Sequence, residues 1–333
     1  MNADAPTQPS PVTQAPPVAE ASPATQAPPA TRSSLPPPVS GQHHEIDSPA
    51  GRLSYWADGP KSPTTATPLL LIHSINAASS AYEVKPLYEH YRAVRPVYAI
   101  ELPGFGHTSR EKRQYTIRMM TDAILAITKE IQRIHGDTPI DAMALSLSCE
   151  FMARAANEAP QAYRSVALVS PTGFETRPGR WVGGSRAIPW LHNFFENPLW
   201  SETIFGLLTA RPVIGFFLKK TFGSSNFDRG LLDYDYLTTH QPGAQHAPYY
   251  FVSGYLFSQD APLLYQQMKM PVWMSHGVRG DFVDYGNKAL VAGLPNWSVT
   301  AYQTGAMPHF ELPDAFARDY DAFFAGLPAS RAP

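Results

Sequence analysis

The 333-residue chain has one cysteine, Cys149, so it forms no intrachain disulfide and no cysteine-built zinc cluster. It has no excess of basic charge. The formal net charge of −2 leaves nothing to hold a phosphate backbone, so nucleic acid is not an expected partner. No apolar run reaches the roughly 18 residues that cross a bilayer. The first residues lack the basic-then-apolar layout of a secretion signal, and a cytoplasmic location is the expectation. No HExxH or comparable cluster marks a working metal site. What the chain does have is apolar material, 44% of its residues, enough for a sizeable core.

That material is unevenly spread. Residues 1–41 are dominated by Pro, Ala, Thr, Gln and Ser, with TQAPP at Thr13–Pro17 and again at Thr25–Pro29. Such a segment has almost nothing to bury against the entropy of ordering it. It reads as a disordered, partly polyproline-II tail. From residue 42 the pattern is globular. Residues 42–46 and 53–56 around SPAG predict a β-hairpin. Short apolar runs at 67–72, 96–100, 140–145, 163–169, 270–274 and 297–302 fit strands covered on both faces. Residues 79–92, 116–135 and 312–324 read as helices. Strands alternating with helices after an opening hairpin predict an α/β fold with a mostly parallel central sheet and helices on both faces. In such a sheet ligands bind beyond the carboxyl ends of the strands.

The stretch Ile140–Glu158, IDAMALSLSCEFMARAANE, is a strand, an abrupt turn at Ser146 and a helix. This is the pattern of a nucleophile elbow, whose tight turn requires small residues two positions either side of the serine. Ala144 and Ser148 stand there, where the usual pattern has glycines. Four other fragments fall at strand ends: LLLIHSINAASS (Leu69–Ser80), ELPGFGHTSR (Glu101–Arg110), MSHGVRGDFV (Met274–Val283) and GAMPHFELP (Gly305–Pro313).

With these five fragments in this order, residues 42–333 resemble the α/β-hydrolases, in particular the lidded serine esterase and lipase-like branch. The resemblance implies a catalytic triad of Ser146, Asp281 and His309, with Asp284 as the minority candidate for the acid. It implies an oxyanion hole made by the backbone N–H groups of Leu147 and, by position, Ile75. The loop at His73-Ser74-Ile75-Asn76 replaces the family's glycines, and the Asn76 amide is a candidate extra donor. His73 is expected to hold this loop rather than move protons. His107 is expected to shape the edge of the site, and His276 to pack at a strand end. No cofactor is implied.

The interval 171–264 is longer than an ordinary loop, and long insertions tend to carry function. It is rich in aromatics, among them Phe174, Trp181, Trp190, Phe205, Phe216, Phe217 and Tyr249. It is expected to form a mainly helical cap inserted between core segments 42–170 and 265–333. Residues 199–217 are strongly apolar, but lipid contact ranks below a buried cap helix. The expected reaction is hydrolysis of a moderately apolar carboxylic ester through an acyl-enzyme, with a small apolar ester-like molecule as partner. A carbon–carbon bond hydrolase using the same triad is the enzymatic alternative. A non-catalytic α/β-hydrolase scaffold that binds a small ligand is the alternative of another class. The sequence carries no signal for oligomeric state.

Overall fold

The computed structural model describes Met1 and residues 35–62, 64–176 and 186–327. Most of the expected tail, and Trp181, lie outside these residues. The described residues from Leu35 onward form one compact unit.

Eight strands make one sheet in the order β1-β2-β4-β3-β5-β6-β7-β8. They are β1 (Gln42–Ser48), β2 (Gly51–Asp58), β3 (Leu69–Ile72), β4 (Val97–Glu101), β5 (Ile140–Leu145), β6 (Tyr163–Val169), β7 (Val272–Gly277) and β8 (Trp297–Tyr302). β1 and β2 form the predicted hairpin, and β2 runs antiparallel to β4. Every remaining neighbour pair is parallel. The hairpin is longer than predicted because its ladder continues to Ser48 and Gly51. Gly51 takes a φ of 98° there, in the left-handed region that favours glycine.

The continuous apolar runs form strands because both sheet faces are covered. Along β3, Leu70 and Ile72 point into the core packed by α2 (Ile117–His135) and α3 (Ser148–Glu158), whereas Leu69 and Leu71 point into the opposite core. That second core is packed by α1 (Lys85–Tyr91) and α12 (Pro313–Ala325). α2 begins where the Thr116 side chain accepts from the Met119 N–H and ends at Gly136, whose φ is 77°; these are a standard cap and stop.

Two expected helices differ. The segment predicted as one helix over 79–92 is a 3-10 turn at Ala81–Val84 followed by α1. Pro86 falls in the first turn of α1, where its missing N–H leaves no hydrogen bond unmade. The last helix starts at Pro313, separated from the four-residue α11 (Pro308–Glu311) by Leu312 at φ −133°. Between β6 and β7 run α4 (Pro189–Phe195), α5 (Ser201–Leu208), α6 (Arg211–Phe222), α7 (Arg229–Thr239), α8 (His246–Val252) and α9 (Ala261–Gln267); α10 (Ala289–Ala292) precedes β8. Phe174, Phe205 and Tyr249 are buried, whereas Trp190, Phe216 and Phe217 face solvent. Among the described residues no single helix is long and apolar enough to cross a membrane.

Candidate active site

Ser146 follows β5 and precedes α3, with a φ of 50°. A non-glycine residue there is uncommon and strained. The turn is held by the Ser146 N–H donating to the Val169 carbonyl at 2.9 Å and by the Cys149 N–H donating to the Ser146 carbonyl at 3.0 Å. Ala144 and Ser148 are both fully buried where the turn doubles back; larger side chains would have no room. Ser146 itself keeps partial exposure. Cys149 is buried with its thiol pushed well above the ordinary range by burial, so it is a packing residue rather than a nucleophile.

The Leu147 and Ile75 N–H groups have no acceptor among the described residues. The Leu147 N–H directly follows the serine, and the Ile75 N–H lies in the loop after β3, the strand beside β5; free backbone donors so placed are what an oxyanion needs. The Ile75 loop is built without glycine. His73 Nδ1 donates to the Ser74 carbonyl at 2.6 Å, and its Nε2 accepts from the Leu102 N–H at 3.0 Å. Full burial pushes this ring down to about 4, so it is a neutral strut for the loop, as its position in the sequence suggests.

The other strut is Glu83, fully buried, which the sequence did not single out. One carboxylate oxygen accepts from the Ser74 N–H at 2.7 Å. The other accepts from Ser74 Oγ at 3.0 Å and from Asn76 Nδ2 at 2.7 Å. Burial raises the carboxyl, and the hydrogen bonds from Ser74, Asn76 and Ser79 oppose it. The Asn76 amide is therefore committed to Glu83 and to Ser74 Oγ. It is a brace of the loop, not the extra oxyanion donor that the sequence made conceivable.

His309 lies in α11 with no exposure, its ring edge-on to Phe310 and Phe316. Nε2 lies 2.8 Å from the Glu83 carbonyl, which can only accept, so Nε2 carries the proton. Nδ1 has no partner. Burial pushes the imidazole down to about 4, opposed by the Glu83 carbonyl. No hydrogen bond joins His309 to Ser146 among the described residues.

The structure does not bring either candidate acid onto this ring. The side chain of Asp281 is 55% exposed and paired with Lys220 of α6, and its N–H donates to the Lys220 carbonyl at 3.3 Å. Asp284 accepts from the Thr176 N–H at 3.0 Å and the Thr176 hydroxyl at 2.9 Å. The physical reason is the docking of α6: its last carbonyls take the Asp281 and Ala306 N–H groups, and its Lys220 takes the carboxylate.

His107 and His276, the other two histidines singled out in the sequence, have structural partners. His107 bonds Glu101 and the Leu35 carbonyl; burial works against its charge, but Glu101 outweighs it and raises the ring above its ordinary value. His276 donates to the Gly277 carbonyl and stacks on Tyr285.

Residues 67–204 match the family model of the alpha/beta hydrolase fold. No curated protein matches the sequence. Among solved structures, a serine hydrolase involved in carbazole degradation, CarC, superposes with a TM-score of 0.63 at 14% identity, covering 86% of this chain and 99% of that one. The meta-cleavage product hydrolase CumD of Pseudomonas fluorescens IP01 superposes with 0.64 at 17% identity, covering 85% and 97%. A bacterial membrane phospholipase A gives 0.63 at 19% identity over 86% of both chains. By its sheet order and by the match that runs from β3 into α5, the chain is an α/β-hydrolase-fold protein.

Proposed function

We propose that the protein is a serine hydrolase that cleaves a moderately apolar carboxylic ester through an acyl-enzyme. The observation that carries this reading is Ser146 at a positive φ on the β5–α3 turn, followed by the Leu147 N–H and neighboured by the loop after β3 that holds the Ile75 N–H, neither N–H having an acceptor among the described residues. A serine hydroxyl needs a base to attack near neutral pH. His309 is neutral and buried, and fills that role. Ser146 Oγ bonds to the ester carbonyl carbon while its proton passes to His309. The oxyanion sits on the Leu147 and Ile75 N–H groups, and the alkoxide leaves with the proton. Water then attacks the acyl group by the same route in reverse, returning free acid and Ser146.

Asp281 is the proposed orienting acid, with Asp284 second. For Asp281 to serve, its carboxylate must leave Lys220 and share the Nε2–H of His309 with the Glu83 carbonyl, leaving Nδ1 as the base toward Ser146. The helices between β6 and β7 are the proposed cap, whose apolar faces would keep water from the acyl-enzyme.

Carbon–carbon hydrolysis by the same residues stands as the second reading, supported by the fold shared with the meta-cleavage product hydrolase. A panel of p-nitrophenyl esters of increasing chain length separates the two. Ester turnover that disappears in Ser146→Ala supports the first. A flat panel with a reactive Ser146 supports the second. A Ser146 inert to both esters and fluorophosphonates leaves the binding scaffold.

A further inference from the structure

Glu83 is joined to both halves of the candidate site through different atoms. Its side chain accepts three hydrogen bonds from the loop that carries the Ile75 N–H. Its main-chain carbonyl accepts the Nε2 proton of His309 at 2.8 Å. Ser74 and Asn76 stand where the resembled fold has glycines, and a loop of such residues needs something to fix its path. The groups that hydrogen-bond the two carboxylate oxygens are all donors, the Ser74 N–H, the Ser74 hydroxyl and the Asn76 amide, with the Ser79 hydroxyl acting in the same sense and buried Asp235 in the opposite one. An ionised carboxylate answers all of these donors because it is acceptor-only. The hydroxyl of Ser79 closes the loop by accepting from the Asn76 N–H at 2.7 Å.

We propose that Glu83 is a positioning residue of the reaction, its carboxylate fixing the Ile75 N–H at the oxyanion while its carbonyl fixes the ring of His309. This rests on the reading of Ser146 as nucleophile. A glutamine at 83 would set an NH2 group against a donor and release one side of the loop. Displacing a reacting group by about 1 Å costs on the order of 100-fold in rate, and losing one oxyanion donor costs about 100- to 1,000-fold.

The test is the rate of Ser146 modification by a fluorophosphonate, separated into the binding constant and the maximal inactivation rate, with thermal unfolding measured on each variant. Glu83→Gln should lower the maximal rate about 30- to 100-fold and leave the binding constant within about threefold, since only the transition state feels the displaced donor. Adding Asn76→Asp to Glu83→Gln reverses donor and acceptor across the 76–83 contact, and should recover at least about tenfold of that loss.

A Glu83→Gln protein that reacts within about threefold of wild type overturns the inference while leaving the hydrolase reading intact. So does a folded double variant with no recovery, because a merely structural residue would not be rescued by the swap. If Glu83→Gln does not fold, Asn76→Ala decides, being expected to slow modification about tenfold; an unchanged rate rejects the role of Glu83. A folded wild-type protein that is not modified at all removes the hydrolase reading and this inference with it.

Discussion

The carbonyl of Glu83 holds the Nε2 proton of His309, and the opposite ring nitrogen has no partner among the described residues. With burial holding the ring down to about 4, His309 stays neutral where an ordinary histidine is half charged. The acid limb of kcat/KM should therefore fall well below pH 6.5, and a pH–rate profile checks it. An acid limb centred near 6.5 would mean that the ring is solvated in the working enzyme.

The same shift has a consequence for stability. As pH falls, the unfolded chain takes up a proton on each histidine near 6.5, whereas folded His309 and His73 resist until about 4. Stability is then present above 6.5 and is lost as pH falls from 6.5 toward 4, by up to about 3 kcal/mol for each ring. Urea unfolding across that window should show the loss, and His73→Gln should flatten part of it. A stability difference between His73→Gln and wild type that does not change between pH 7 and pH 4.5 would contradict the burial of that ring, since other groups, Glu150 among them, shift the total in the opposite sense.

Glu150 behaves oppositely. Burial pushes its carboxyl up to about 7, against hydrogen bonds from Thr172 and Ser258. The folded state keeps a proton that the unfolded chain releases above about 4.5. Stability from this group is lost as pH rises from about 4.5 to 7, by roughly 3 kcal/mol. Glu150→Gln keeps an acceptor for the Ser258 N–H and cannot ionise. Its stability relative to wild type should improve steadily over that range and level off above pH 7. A pH-independent difference would show that Glu150 is not the group concerned.

Gly305 meets the end of α6. A Cβ there would lie 2.4 Å from the Thr221 carbonyl oxygen and 2.5 Å from Phe222 Cα, both main-chain atoms that cannot step aside cheaply. Gly305→Ala should cost about 1–3 kcal/mol by overpacking and loosen the α6 junction. Hydrogen exchange confined to α6 and the 304–306 turn would confirm it. A variant as stable as wild type would mean that the junction gives freely.

Asp281 and Lys220 form an exposed pair, and such pairs contribute about 0–1 kcal/mol to stability. Lys220→Ala should leave the unfolding midpoint nearly unchanged. If Asp281 is the orienting acid, freeing it should leave kcat equal or higher, while Asp281→Asn should lower kcat by at least about 100-fold. Equal activity in Asp281→Asn would transfer the role to Asp284 or to the Glu83 carbonyl alone.

The sheet was legible because buried parallel strands leave apolar runs, such as LLLI in β3 and VALV in β6, and because Ser146 is flanked by residues small enough for its turn. His309 was singled out by its place after the last strand, and the structure buries it in α11 against the Glu83 carbonyl. Glu83 was not, because it meets Ser74 and Asn76 through a loop that doubles back, and nothing in the sequence marks a single glutamate as the partner of a loop seven to nine residues earlier. The pairing of Asp281 with Lys220 was hidden for a similar reason. It depends on how α6 docks on the 279–281 turn, which is a matter of tertiary packing and not of local pattern.

In the proposed reaction the Ser146 hydroxyl forms a covalent acyl bond. Intact and peptide mass spectrometry of the folded protein after treatment with a fluorophosphonate tests it most directly. One adduct is expected, on Ser146, absent in Ser146→Ala and slowed in His309→Ala. No adduct on folded wild-type protein, or an adduct that persists in Ser146→Ala, would contradict it.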